Sequence, residues 1–180
     1  MIFDDEIRGR FVYLKSITVE DADFSYHIRA DKKNRETVGQ LAESVEAQRR
    51  FIEKQIETSG DYYFVVYNRN AERIGLIGVY DIRGDIGEFG REVNIASAVE
   101  AMEAEVLLSD FAVNVLGLKR YCSVIYTNNR KHIKNQEKLG IYPLRTEIRN
   151  GVECFYYEGE IKTNDKRREL LSRIPDDFLG

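Results

Sequence analysis

The chain has 180 residues, of which 43% are hydrophobic and 32% charged, and it is long enough to form one domain with a stable core. This composition excludes an intrinsically disordered chain, and the formal net charge of −4 argues against a general nucleic-acid-binding protein. No apolar run approaches membrane-spanning length, and MIFDDEIRGR at the start lacks the apolar stretch of a signal peptide. Cys122 and Cys154 have no metal-ligand spacing and are typical of buried thiols in a reducing compartment. We therefore expect a cytoplasmic protein without nucleic-acid or membrane partners.

The first half of the chain predicts one strand, two helices and three further strands. Apolar and polar residues alternate over 10–17, which indicates a half-buried strand. Thr18, with Asp21 three residues later, predicts the capped start of a first helix. Ser44 caps a second helix, whose inward face we expect to consist of Val45, Ile52 and Ile56. Three strands are predicted after it, at 61–68, 73–82 and 87–95.

The second half predicts a long helix, a strand, a short helix and a closing hairpin. The long helix ends before Gly117 and the short one before Gly140. Asn150 and Gly151 suit the tight turn of the hairpin, and a tail helix is expected at about 164–174. The order β-α-α-β-β-β-α-β-α-β-β predicts an α+β fold, with a mixed, mostly antiparallel central sheet and helices on both faces. We expect a single domain over 1–180, with its core at about 10–161.

Two segments of the second half resemble the GNAT superfamily of N-acyltransferases. They are GREVNIASAVEAMEAEVLL at 90–108 and NNRKHIKNQEKLGI at 128–141. The second is similar to the family motif N-x-x-S-I-x-x-x-E-K-L-G-F, with Asn129 and Ile133 in register and His132 in place of the serine. The similarity extends over about 10–161, and the group that the chain resembles contains the ribosomal-protein and amino-sugar acetyltransferases.

The resemblance implies a cosubstrate and a place for it. In this family the strand before the long helix diverges from its parallel neighbour, and the pantetheine arm of acetyl-coenzyme A pairs with the exposed backbone like an added strand. The diphosphate then lies at the N-terminus of the long helix, where N–H groups and the helix dipole favour an anion. The residues that this places around the cosubstrate are Val93, Asn94, Ile95, Ala98, Val99, Ala101, Met102, Glu103, Ala104, Asn129, Lys131 and Lys134.

The predicted diphosphate loop departs from the family pattern Q/R-x-x-G-x-G/A. In an ungapped alignment Ala98 takes the Gln/Arg position, Ala101 the first glycine and Glu103 the second. The alanines are small enough for close approach of a phosphate, but the carboxylates of Glu100 and Glu103 are expected to lie near it. Acidic residues also stabilise the start of any ordinary helix, so both interpretations stay open.

Candidate catalytic groups lie on the diverging strand. A general base takes a proton from the attacking amine, and Glu88 and Glu92 are predicted to share one face of this strand. A solvated strand face is the alternative interpretation of these carboxylates. Many relatives carry a tyrosine general acid at the position of Gln136, which donates a hydrogen bond but no proton. Tyr126 is the substitute that we expect, unless the thiolate leaves unaided.

The acceptor is expected to contact the first helix, the loop after it and the end of a neighbouring strand. His27, Arg29, Arg35 and Tyr80 are the candidate substrate-binding residues, and the two arginines suit a phosphorylated or nucleotide-linked acceptor. A solvated charged loop is the alternative interpretation. With two histidines and no Cys or Asp cluster around them, we expect no metal site.

The sequence therefore predicts an acetyl-coenzyme A-dependent N-acetyltransferase that acts by direct attack of a primary amine. The resemblance favours an amino sugar or sugar nucleotide as the small-molecule acceptor. A protein N-terminal acetyltransferase and a non-catalytic GNAT-like binding or regulatory domain are the alternatives, the latter because of the altered diphosphate loop. The sequence leaves the oligomeric state open, with a homodimer as one alternative.

Overall fold

The structure is a computed structural model that describes residues 1–35, 38–161 and 166–178. In this part of the chain the strands are β1 (Ile7–Arg8), β2 (Val12–Ser16), β3 (Tyr62–Asn68), β4 (Arg73–Arg83), β5 (Ile86–Asn94), β6 (Arg120–Tyr126), β7 (Arg145–Arg149) and β8 (Val152–Glu160). The helices are α1 (Ala22–Ala30), α2 (Val45–Glu57), α3 (Ala98–Asn114), α4 (Arg130–Lys138) and α5 (Lys166–Ser172), and a 3-10 turn (Val19–Asp21) precedes α1.

These strands form one sheet in the order β1-β2-β3-β4-β5-β6-β8-β7. Neighbours are antiparallel except β5 and β6, which run parallel near the centre of the sheet. The parallel pairing covers the start of each strand and ends where Glu88 faces Cys122. Beyond that pair the described residues 89–94 and 123–126 are not paired with each other, and we call the space between them the V-shaped gap. The predicted α+β fold with a splayed parallel strand pair is confirmed.

The two faces of the sheet are covered by different helices. On one face, α1 and α2 contribute Ile28 and Ile52 to a buried cluster with Tyr63, Leu76 and Val93 of the sheet. On the other face, α3 packs on the remaining strands through a cluster whose members include Leu107, Leu108 and Phe111. Helix α4 packs on β6 and β8 through a smaller cluster of Ile133, Ile125 and Tyr157. We refer to these two sides as the α1/α2 face and the α3/α4 face.

Local capping residues begin the helices where the sequence predicts them. The Asp21 carboxylate accepts a hydrogen bond from Thr18 N at 3.0 Å, and Ser44 Oγ accepts one from Ala47 N at 3.1 Å. Two details differ from the prediction. The first turn after Thr18 is 3-10 rather than α-helical, and the two-residue strand β1 is too short to give an alternating pattern. The tail helix is α5, and the predicted residues 164 and 165 lie outside the described part of the chain.

One extra residue interrupts the pairing of β5 with β4. Gly78 faces Gly90, but two residues back along β4, Leu76 faces Val93, so three steps on β5 match two on β4. The bulged residue is Arg91, whose φ of 55° lies in the left-handed region that few non-glycine residues occupy. The bulge shifts the alternation of side chains along the rest of β5. The two-residue alternation between the faces of the sheet therefore does not continue unchanged across the bulge.

The carboxylate of Glu103 is turned into the protein, away from the start of α3. It is 5% exposed and accepts hydrogen bonds from the backbone N–H groups of Arg10, Phe11 and Val12, at 2.9, 2.6 and 2.8 Å. A Cβ on Gly9 would lie 2.6 Å from Glu103 Cδ, so a larger residue at this position would displace the carboxylate. The expectation that the Glu103 carboxylate lies beside a diphosphate is therefore wrong. The carboxylate instead joins α3 to the start of β2.

We predict that Glu103→Ala lowers the free energy of unfolding by about 2–4 kcal/mol, because it leaves three N–H donors of the 10–12 backbone without an acceptor. Glu103→Gln keeps the shape of the side chain but loses its charge, so its free energy of unfolding should lie between those of wild type and Glu103→Ala. Urea denaturation measures the effect. The control is Glu53→Ala, a change at an exposed α2 residue that should stay within about 0.5 kcal/mol of wild type. Equal stability of the Glu103 and Glu53 variants would contradict the assigned role.

Candidate active site

The V-shaped gap opens into a cleft of about 750 Å³ that passes through the sheet. Side chains from both faces line it, so the cleft can be entered from either side. On the α1/α2 face the lining includes Arg29, Tyr80, Glu88, Tyr126 and Arg149. On the α3/α4 face it includes Glu92, Glu105, Asn129, His132, Gln136 and Arg167. The exposed backbone of two diverging strands thus lies between two chemically different half-clefts.

Glu88 lies at the apex of the V-shaped gap, on the α1/α2 face. It belongs to the last parallel pair of β5 and β6 and is 5% exposed. Its Oε1 accepts hydrogen bonds from the Tyr80 hydroxyl at 3.0 Å and from Arg149 Nη1 at 2.6 Å. Burial, followed by the charge of Glu88, raises the pKa of Tyr80 far above that of a free tyrosine. Tyr80 is therefore a neutral hydrogen-bond donor that orients the carboxylate.

Arg91 fixes the strand beside this carboxylate. Its guanidinium donates to both oxygens of Asp61, at 2.6 and 2.8 Å, and lies 4.0 Å from the centre of the Tyr80 ring. Asp61 is 7% exposed, so this is a bidentate and largely desolvated ion pair. The pair keeps Arg91 on the α1/α2 face and holds its unusual backbone conformation in place. It also leaves Arg91 with no charge that is free for a ligand.

Glu92 follows the bulge and lies on the opposite, α3/α4 face. Its Oε1 accepts a hydrogen bond from Asn94 Nδ2 at 3.1 Å. Burial, with added repulsion from Glu105, raises the pKa of Glu92 to about 8. Arg167 of α5 binds Glu105, with Nε 2.6 Å from Oε2, and this cation opposes the shift. The predicted sharing of one strand face by Glu88 and Glu92 is therefore wrong, because the bulge at Arg91 separates them.

Helix α4 presents a neutral polar group to the same half-cleft. Burial lowers the pKa of His132, and the amide nitrogen of Gln136 lies 3.0 Å from its Nε2. An amide N–H donates to Nε2 when the imidazole is neutral, which agrees with the lowered pKa. Asn129 caps the helix, with Oδ1 accepting from His132 N at 3.2 Å. Asn129 therefore has a structural role in addition to its position in the cleft.

The N-terminus of α3 is closed by its own side chains. Ser97 Oγ accepts from Glu100 N at 3.3 Å, and the Glu100 carboxylate accepts from Ser97 N at 2.8 Å. This capping box satisfies two backbone donors at the end of the helix where an anion would bind. A negative charge from the chain itself, that of Glu100, thus already lies at this helix end.

The structure brings together only some of the predicted site residues. The side chains of Glu88, Glu92, Tyr126, Asn129, Arg29 and Tyr80 line the cleft. His27 does not: it is an exposed residue of α1, 3.4 Å from Asp23. Arg35 is exposed and also lies outside the cleft lining. The structure places neither residue at the cleft, and their roles in binding the acceptor stay predictions.

None of the predicted cosubstrate residues on 93–104 contributes to the cleft lining. Val93, Val99 and Ala104 are buried in the hydrophobic core, and Ile95 is 59% exposed. Asn94 instead holds Glu92. The side chains of Ala98, Ala101 and Met102 lie outside the cleft lining, and so do those of Lys131 and Lys134, which are exposed on α4. A role for the backbone of these residues stays a prediction.

Sequence reasoning missed four charged residues of the cleft. Arg149 lies 61 residues from Glu88 along the chain, and nothing in a hairpin pattern indicates that pairing. Glu105 and Arg167 come from two helices, and their ion pair depends on how α5 docks on α3. The strand pattern places Arg91 in a regular strand and does not predict the bulge. The helical period of α3 was the one available signal, because it places Glu105 on the side of α3 that faces the cleft.

The chain is similar to known acetyltransferases along most of its length. The family model of the acetyltransferase (GNAT) domain matches residues 12–141. The chain therefore belongs to the GNAT acetyltransferase family. No curated protein sequence matches it significantly. Within the described residues, no helix is long and apolar enough to cross a membrane, and no group of three or more potential ligands is arranged to hold a metal ion.

Solved structures show the same fold at low sequence identity. The apo form of FdhC, a nucleotide-linked sugar GNAT, has a TM-score of 0.78 and 18% identity over 99% of this chain and 100% of that one. A GCN5-related N-acetyltransferase from Brucella melitensis has a TM-score of 0.76 and 14% identity over 96% and 86%. Spermidine N-acetyltransferase from Vibrio cholerae, in complex with CoA and spermine, has a TM-score of 0.70 and 17% identity over 83% and 95%.

Glu92 gives a testable pH dependence of stability. Its pKa of about 8 in the folded protein exceeds the ordinary 4.5, so between these values the folded state keeps a proton that the unfolded state has lost. We predict that the free energy of unfolding falls as pH rises from about 4.5 to about 8, and that Glu92→Gln removes this part of the slope. Denaturant unfolding at a series of pH values measures it, with exposed Glu153→Gln as control. A wild-type slope in Glu92→Gln would contradict the raised pKa.

Proposed function

We propose that this GNAT protein transfers an acetyl group from acetyl-coenzyme A to a primary amine. The observation that carries the proposal is the V-shaped gap, a cleft through the sheet with the buried carboxylate of Glu88 at its apex. Because β5 and β6 are unpaired beyond Glu88, the backbone of 93–95 has room for an extended arm such as pantetheine. Acetyl-coenzyme A would supply an activated thioester carbonyl at the apex.

The two half-clefts suit two different reactants. The start of α3 and the exposed Lys131 and Lys134 of α4 border the α3/α4 face, so the anionic end of the cosubstrate would bind there. Asn129, at the start of α4, would contact the arm. The α1/α2 face then remains for the amine. The two molecules would therefore approach the apex from opposite faces of the sheet. Both would then be bound there together, which direct attack without an enzyme-bound intermediate requires.

This division selects Glu88 as the general base. It faces the side from which the amine arrives, whereas Glu92 faces the cosubstrate side. Tyr80 and Arg149 hold the carboxylate of Glu88 in place. The nitrogen becomes strongly acidic once it has attacked the carbonyl, and the Glu88 carboxylate that Arg149 and Tyr80 hold at the apex would accept its proton. Tyr126, which also lines this side, would donate a proton to the departing thiolate.

We propose an amino sugar or a sugar nucleotide as the acceptor, as in the ribosomal-protein and amino-sugar acetyltransferase group that the sequence resembles. The nucleotide-linked sugar GNAT among the structural neighbours supports this choice. Spermidine N-acetyltransferase shares the fold, but an acceptor with several ammonium groups fits this α1/α2 face less well. Three guanidinium groups, those of Arg29, Arg91 and Arg149, line it. The carboxylates of Asp61 and Glu88 already pair with the last two, so neither is free for an ammonium group.

We predict that Glu88→Gln lowers kcat by about 10²–10⁴-fold and leaves acetyl-coenzyme A affinity nearly unchanged, because it removes the proton acceptor but not the gap. The measurements are the rate of thiol release with an amino-sugar acceptor and calorimetric titration with acetyl-coenzyme A. Glu153→Gln, on the exposed side of β8, is the matched control and should keep wild-type rates. Wild-type kcat in Glu88→Gln would exclude Glu88 as the base.

A specific observation favours a second candidate, a non-catalytic domain that keeps the GNAT fold. The capping box of Ser97 and Glu100 places a carboxylate where the diphosphate would bind. In this alternative the helix end is closed permanently and the cleft serves another ligand. In the enzymatic proposal the diphosphate still binds there, and Glu100 only weakens its affinity.

These two candidates predict different responses to Glu100→Gln. If the diphosphate binds at α3, removing the negative charge should tighten acetyl-coenzyme A binding by about 2- to 10-fold at low salt, and the gain should shrink as salt rises. Calorimetric titrations at low and high salt measure this, with Glu57→Gln on exposed α2 as control. If wild type and Glu100→Gln both fail to bind at millimolar concentration, the non-catalytic candidate is supported instead.

A further inference from the structure

Among the residues that the structure describes, the α1/α2 half of the cleft contains one guanidinium that lacks an acidic partner. Arg91 binds both oxygens of Asp61, and Arg149 binds Glu88 and Glu147. Arg29 has no ion pair with any of the described residues. Its Nη2 is 3.5 Å from the backbone oxygen of Gln40, at the limit of a hydrogen bond.

The Nε of Arg29 is buried and has no hydrogen-bond partner among the described residues. Leaving a buried charged donor without an acceptor is unfavourable, so such an atom needs an explanation. Nε and one Nη lie on the same edge of a guanidinium and together match two oxygens of a carboxylate or phosphate. In Arg29 the Nε is unsatisfied and Nη2 makes only the long contact with Gln40 O, so the guanidinium can bind an oxyanion once a side chain beside the buried Nε moves aside.

The surroundings explain why this cation is stable there without a partner. Arg29 lies in the last turn of α1, where the carbonyl end of the helix dipole favours a positive charge. The favourable interaction with the helix end offsets part of the free-energy cost of the unsatisfied donor, but it does not supply an acceptor for Nε. A helix-capping role alone therefore leaves the buried Nε unexplained.

The wall next to Arg29 is formed by the loop after α1 and by Tyr126. Val38 and Gly39 line the cleft there, and a Cβ on Gly39 would lie 2.8 Å from the hydroxyl of Tyr126. Tyr126 therefore packs directly on Gly39, and a side chain at this position would displace the tyrosine. The contact places the Tyr126 hydroxyl in the same half-cleft as Arg29.

We infer that Arg29 binds an oxyanion of the acceptor, a phosphate or a carboxylate carried on the same molecule as the reacting amine. This inference rests on the proposed function for the identity of the reaction, but the oxyanion site itself does not depend on it. Arg29 would fix the far end of the acceptor while its amine lies near Glu88. The specificity of the proposed enzyme would then be for anionic amines, and uncharged or polycationic amines would bind weakly.

The test measures binding of two simple probes, inorganic pyrophosphate and malonate, by calorimetry. The protein is first titrated with coenzyme A and then kept saturated with it, so that the helix α3 end is filled. We expect at least one probe to bind wild type, and Arg29→Gln to weaken that probe at least tenfold. Arg29→Lys keeps the charge but loses the bidentate edge, and should give an intermediate loss. The probe that is bound shows whether the oxyanion is a phosphate or a carboxylate.

The matched control is Arg50→Gln, which removes an exposed arginine of α2 and should change probe affinity less than twofold. Thermal melts of each variant confirm folding, and Arg29→Lys provides the comparison if Arg29→Gln is unstable. Absence of probe binding to wild type, or equal affinity in both Arg29 variants and wild type, would overturn the inference. Failure of coenzyme A to bind would count against the proposed function alone, since the Arg29 dependence of probe binding is measured separately.

Discussion

The ion pair between Arg91 and Asp61 determines the geometry of the cleft. A bulge that places a non-glycine residue at a φ of 55° is unfavourable, and a buried bidentate pair that also stacks on Tyr80 compensates for it. The bulge lies three residues after Glu88, just past the point where the pairing of β5 with β6 ends. It places Glu88 and Glu92 on opposite faces of the sheet, so each half-cleft contains one carboxylate from β5. The proposed binding of the cosubstrate on one face and of the amine on the other follows from this one bulge.

The two half-clefts differ in their electrostatics because different elements neutralise the carboxylates. On the α1/α2 face Glu88 is bound directly by Arg149 and Asp61 is bound by Arg91, so the positive charge of this half comes from Arg29, which has no acidic partner among the described residues. On the α3/α4 face Glu92 and Glu105 share Arg167, and burial favours the protonated form of Glu92, as its raised pKa shows. A nearly neutral half for an uncharged arm and a cationic half for an anionic acceptor are consistent with the proposed reaction.

Local patterns of the sequence predict much of the fold. Thr18 and Ser44 begin their helices as expected, and the alternating runs became β2 to β5, because these signals depend on neighbours a few residues apart. The candidate site depends more on contacts between residues that are far apart in the sequence. The two-residue period of a regular strand predicts Glu88 and Glu92 on one face. The extra residue at Arg91 shifts the alternation, so Glu92 lies on the opposite face. The contacts of Glu103 with the 10–12 backbone span more than ninety positions, and an alignment to a loop motif cannot reveal them.

A crystal structure of the protein with coenzyme A tests the central claim most directly. The account predicts density for an extended arm in the V-shaped gap, hydrogen-bonded to the backbone of 93–95 on β5, with its thiol at the apex near Glu88. The diphosphate is expected at the start of α3, with the Glu100 side chain displaced from Ser97 N. Coenzyme A bound elsewhere on the molecule, or a gap without density for it at saturating concentration, would contradict the claim that this splay is the cosubstrate site.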